Sequence, residues 1–149
     1  MTKVALQRLS AGSLAVGGVT VICMGLYFIF FRPALLPEDA RYIGATVWQV
    51  QSTAPDLVPW LHRVFGVLGG FMLSTGLLAV YVAMTSLKTS RPGALTITAI
   101  SGLVSVGWMA ITNFAIDSDF KWVLLIFTVP WVLTLGLSWA SETGVRGRA

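Results

Sequence analysis

Charged positions in this chain fall in clumps. Between the clumps run four stretches without Asp, Glu, Lys or Arg: Ala11–Phe31, Val64–Leu87, Pro92–Ile116 and Trp122–Ser141. Each has about 20 residues or more, which at a rise of 1.5 Å per residue crosses a hydrocarbon core about 30 Å thick. Backbone amides in lipid must bond within their own segment, so stretches of this kind are helices. The period-two alternation of barrel strands is absent. The second stretch continues back to Pro59, which sets its first turn above the hydrocarbon. The pattern therefore predicts an all-α fold, a four-transmembrane-helix bundle with spans at about 11–31, 59–87, 92–116 and 121–141, forming a single integral membrane domain over residues 1–149.

The first stretch has a basic start, Lys3 and Arg8, as a signal peptide would. Its apolar run is longer than the 7–15 residues of a signal core, and no small-x-small cleavage site precedes a polar segment, so a retained helix is expected. The polar connection Arg32–Arg63 is the one long loop. In "LLPEDARYIG", Pro37 followed by Glu38 and Asp39 is a helix start, since proline fits the first turn and acids suit the positive end of the dipole. Thr46 with Gln49 has capping-box spacing, and Pro55 and Pro59 interrupt any continuous helix. Short interfacial helices lying over the bundle are expected. The short turn "SLKTSRPG" predicts that the second and third spans are antiparallel neighbours, and "DSDFK" pairs the third with the fourth. No internal repeat relates the two halves.

Composition sharpens the class. Of 149 residues 56% are hydrophobic and 11% charged, against about 25% charged in soluble domains. Mean hydropathy is +0.81. The net charge of +4 is spread over the ends of apolar runs, not gathered on a polar face, which excludes a nucleic-acid footprint. The single cysteine, Cys23, can form no internal disulfide. The N-terminus, the second turn and the C-terminal tail carry Lys3, Arg8, Lys88, Arg91, Arg146 and Arg148 against Glu142 alone. The opposite side carries Arg32, Arg41, Arg63 and Lys121 with five acids. The bias predicts cytoplasmic N- and C-termini in a multi-pass protein of the bacterial inner membrane, with the long loop outside. Tyr27, Trp48, Trp60 and Trp122 on one side and Tyr81 and Trp139 on the other fit aromatic belts, with Trp108 and Trp131 deeper.

The residues that could carry chemistry lie at the loop side: Glu38, Asp39, Arg41, His62, Arg63, Asp117 and Asp119 form a candidate polar cluster. His62 is the only histidine. It could accept a proton with Glu38, Asp39 or Asp117 as its orienting acid. The plainer reading, which we favour, has His62 and Arg63 marking the membrane surface beside Trp60. Asp117 and Asp119 form a DxD, too few oxygens for calcium, and no metal site is expected. In the second span Gly66 and Gly70 form a GxxxG with Gly69 on nearly the same face. This predicts close helix packing inside the bundle, or a dimer face. Thr98, Ser101, Ser105 and Thr112 fall within an arc of about 60° at 100° per residue, with Asn113 near it. Ser101 and Ser105 are read as helix-packing residues, though such a stripe could line a water path. Pro130 frees the carbonyl of Ile126 and predicts a kink.

No span has an ionisable residue at its centre, where pumps and voltage sensors need one, and no nucleotide loop, HExxH or catalytic triad motif is present. "LLPEDARYIG", "WLHRVFGVLGGFMLSTGLL" and "GLVSVGWMAITNFAIDSDFKW" together resemble small four-helix bacterial integral membrane proteins of unassigned function, DoxX-like in architecture. The resemblance implies four helices with one long loop and supplies no catalytic residue or cofactor. Three functions are then open. One is a non-catalytic packing or accessory subunit of a membrane complex or homo-oligomer, with the lipid bilayer and other membrane chains as partners. The others are a small membrane enzyme or quinone-handling subunit using His62, Arg63, Glu38 and Asp39, and a carrier of a neutral or lipidic solute. The first is favoured, because the others need polar machinery that is mostly missing.

Overall fold

A computed structural model describes residues 2–89 and 91–146, with side chains through Glu142. The described residues are helical and turn segments without strands. Helix α1 spans Lys3–Phe30, and the oxygen of Thr2 caps it by accepting from the Ala5 amide at 3.3 Å. It begins well before Ala11, because the cap lies at Thr2 and a helix need not stop at the membrane surface. The second span is α4, Leu57–Val82, continued by a π-helical turn, Ala83–Leu87. The third is α5, Ala94–Gly102, a π-helical turn Leu103–Gly107, and α6, Trp108–Ala115. The fourth is α7, Lys121–Ile126, and α8, Val129–Arg146. All four are long and apolar enough to cross a membrane, and between 17% and 28% of the apolar 18-residue stretch of each is buried within the chain. The chain is a small polytopic membrane protein. Tail residue Arg148, counted above toward orientation, lies outside the described residues.

In space the spans follow the order second, first, fourth, third. Helix α1 packs along both α4 and α8, and α5 packs on α8. The second and third spans, expected as neighbours, meet where their connecting turn joins them, the Ala83–Leu87 turn against α5. A short turn fixes only the adjoining ends, and α1 takes the long face of α4 because both present glycines there. A Cβ on Gly25 would lie 2.7 Å from the Gly69 carbonyl oxygen, and one on Gly76 would lie 2.6 Å from that of Gly18. Two antiparallel glycine pairs thus bring the backbones of α1 and α4 together.

Helix α1 meets α8 through hydroxyls. The Ser10 and Ser138 oxygens are 2.6 Å apart, Ser10 donates to the Thr134 carbonyl at 3.0 Å, and Ser13 donates to that of Pro130 at 2.8 Å. Proline 130 was expected to kink one helix. The helix instead stops at Ile126 and restarts at Val129, with Pro130 in the new first turn, where its missing N–H costs least. Trp131 is buried and its ring covers Gly102, where a Cβ would sit 2.7 Å from Cε3. The core gathers Leu14, Val21, Ala79, Ala83, Leu87, Ala94, Val106 and Trp131 from all four spans.

Over the loop end, the end opposite Lys3 and Glu142, lie α2, Pro37–Tyr42, and α3, Val47–Thr53. Pro37 opens the first. The second has the capping box: Thr46 accepts from the Gln49 amide at 3.2 Å, and the Gln49 side chain accepts from the Thr46 amide at 2.8 Å.

Candidate functional site

The structure divides the loop-end cluster in two. One part fastens α2 to the turn between α6 and α7. Glu38 is buried, 8% exposed. Its carboxylate accepts from the Ser118 hydroxyl at 3.1 and 3.2 Å and from the Asp119 amide at 2.8 Å. Arg41 donates to Asp119 Oδ1 at 2.8 Å, and that bond, then the charge of Asp119, raises the arginine's already high pKa. The turn is set by Asp117, which ends α6 in the left-handed conformation at φ 52°. Aspartate tolerates that region better than most residues. Its carboxylate pairs with Lys121. Ser118 is missing from the sequence-derived cluster, and it is the residue that makes Glu38 a fastening. A buried acid needs donors, but nothing in the sequence says which of the distant hydroxyls supplies them.

The hydrogen bond from Lys121, and next its charge, lower the Asp117 pKa below the ordinary aspartate value of 3.8. A lowered folded-state pKa means that the pair's contribution is complete above the unfolded value and is lost as pH falls through the folded one. Carbon-detected titration of Asp117 should show its midpoint rising toward the ordinary value in Lys121→Met. An unmoved midpoint would remove Lys121 as the cause.

The other part lies on α4. His62 and Arg63 are exposed, and neither has a hydrogen-bond or ion-pair partner among the described residues. Glu38, Asp39 and Asp117 are each engaged elsewhere, so the fold brings His62 no orienting acid. What it does bring is a cleft of about 610 Å³ between the end of α1 and the start of α4, lined by His62, Arg63 and Arg32 with Phe30, Phe31 and Val58. Arg32 links the two parts. Its guanidinium lies 3.5 Å from the Phe65 ring centre and 5.2 Å from that of Phe28. It donates to the Pro33 carbonyl at 2.8 Å and reaches Asp39 Oδ2 at 3.5 Å. Asp39 in turn accepts from the Leu36 amide at 2.9 Å, opening α2. The sequence signal for Arg32 is its place directly after an apolar run and before Pro33.

Within the spans, Gly69 packs against α1, whereas a Cβ on Gly66 or Gly70 would meet nothing within 4 Å. The expectation that all three pack inside the bundle is corrected for Gly66 and Gly70. Gly66 is half-buried and Gly70 exposed, and they stand about 60° and 100° round α4 from Gly69 at 100° per residue. On the third span Ser105 donates to the Ser101 carbonyl at 2.6 Å, and Thr98 to that of Ala94 at 2.8 Å. The Thr98 and Ser105 hydroxyls thus bond their own helix, Ser101 is half-buried and supplies a carbonyl acceptor, and the close contact with the fourth span is made by Gly102 under Trp131. Thr112 is exposed and Asn113 half-buried. The π-helical turn at Leu103–Gly107 shifts the register by about one residue, so the stripe drawn at constant pitch does not continue. Among the described residues no group of histidine, cysteine and acid side chains could hold a metal ion.

The chain matches no protein-family model, no curated protein and no solved structure.

Proposed function

We propose that this protein is a non-catalytic accessory subunit of the bacterial inner membrane, DoxX-like in architecture, with both termini cytoplasmic, that packs against copies of itself or a larger membrane complex. The observation that carries this reading is where the loop-end acids go. Of the five loop-end acids, Glu38, Asp39, Asp117 and Asp119 hold the loop and its turns, Asp56 stands at the N-cap position of α4, and none bonds His62. A general base needs an orienting group and a pocket that excludes water. The face of α4 that carries Gly66 and Gly70 supports the packing part of the reading, since small residues four apart admit a second helix closely.

Cysteine at Gly70 in a Cys23→Ser background should give a disulfide-linked dimer, or a crosslink to a co-purifying membrane chain, in native membranes. A reporter fused after Ala149 and active only outside the cytoplasm should stay silent. A chain that remains alone and monomeric in native nanodiscs, or a cellular phenotype lost in His62→Gln with folding intact, would overturn the reading.

A further inference from the structure

We propose that the cleft between α1 and α4 binds an anionic amphiphile by its phosphate, held by Arg63, His62 and Arg32, with its apolar chain against Phe30, Phe31 and Val58. The volume of about 610 Å³ lies within the range of about 300–1,000 Å³ typical of small-molecule sites. Its charged lining is of one sign, two arginines and no carboxylate, with the imidazole beside them. Guanidinium forks match phosphate oxygens bidentately.

The site is partly built in advance. Arg32 is clamped between the Phe65 ring, the Pro33 carbonyl and, more loosely, Asp39, and its side chain is 10% exposed. It forms a fixed cationic base to the cleft. Two of its five N–H donors are directed at those oxygens, leaving others for a ligand. Arg63 and His62 stand exposed above it without partners among the described residues.

The walls select the tail. Phe30 and Phe31 are 67% and 75% exposed where α1 ends, which is the level at which a lipid phosphate meets its acyl chains when α1 crosses a bilayer. A free phosphate ion would gain nothing from them. A membrane phospholipid of net negative charge satisfies both halves of the cleft. A zwitterionic lipid brings its own cation against two arginines and is disfavoured.

The full chain is placed in nanodiscs of equimolar phosphatidylglycerol and phosphatidylcholine, and retained lipid is counted by native mass spectrometry. Wild type should keep phosphatidylglycerol selectively. Arg63→Gln should lower that occupancy about tenfold, the loss expected for one charge-assisted bond, and His62→Gln less. Both positions are exposed, so the fold should survive. Arg41→Gln removes a loop-end cation engaged with Asp119 and outside the cleft, and should leave retention unchanged. Excess inorganic phosphate should not displace the lipid. Equal retention of both lipids, an equal loss in Arg41→Gln, or displacement by phosphate alone would each overturn the proposal.

Discussion

Gly69→Ala will push the first two spans apart and destabilise the bundle by about 2–3 kcal/mol, at the upper end of ordinary overpacking. The new methyl would lie 2.7 Å from the Gly25 carbonyl oxygen, 2.8 Å from Ile29 Cγ1 and 3.0 Å from the Ile29 amide. A side-chain tip could rotate away, but a backbone oxygen can retreat only if the helix does. The same holds for Gly76→Ala, whose methyl meets the Gly18 carbonyl at 2.6 Å. The neighbouring Gly70→Ala meets nothing within 4 Å, and it should keep or raise fold stability by up to about 1 kcal/mol through helix propensity. Reversible denaturation in mixed detergent micelles checks the pair. Equal shifts for Gly69→Ala and Gly70→Ala would show that the α1–α4 glycine contact does not hold the bundle.

Glu38→Ala will release the loop from the bundle. The substitution leaves the Ser118 hydroxyl and the Asp119 amide without their acceptor, and bonds to a charged group are worth about 1.5–3 kcal/mol each. The expected local cost is about 3 kcal/mol. It should fall on the loop, because the spans are held by other contacts and such segments open as separate units. Hydrogen exchange at the Asp119 amide should quicken by about a hundredfold, converting that cost at 1.4 kcal/mol per tenfold. Protease cleavage between residues 43 and 56 should rise with it. Glu38→Gln keeps one carbonyl acceptor and should lie between wild type and Glu38→Ala. Unchanged exchange in Glu38→Ala would mean that Arg41 with Asp119 and the Asp39 cap hold the loop by themselves.

The sequence by itself determined the class of this protein, its four spans and the two short helices of the loop. Those features depend on local quantities: the length of an uncharged run, a proline followed by acids, and a threonine three residues before a glutamine. Composition and spacing record that these elements exist, but not where α1 begins or that the fourth span breaks between Ile126 and Val129. Tertiary structure decided the rest, because it depends on which faces meet. Gly66 and Gly70 carry the familiar spacing, yet the contact is made by Gly69 and Gly76 with Gly25 and Gly18. Those glycines are seven apart on each helix, a matched spacing that was readable once the partner was known. Ser118 became the partner of Glu38 only when the α6–α7 turn, with Asp117 in the left-handed conformation, folded toward α2. The register of the third span was lost at the π-helical turn, where one additional residue per turn invalidates any projection at constant pitch. Arg32 passed as one more charge at a helix end until the fold laid it on Phe65 and beside His62 and Arg63. Hydrophobic periodicity encodes which residues leave water. It does not encode which helix receives them, since in lipid every apolar face is equally satisfied, and the choice falls to small residues and hydrogen bonds whose partners lie elsewhere in the chain.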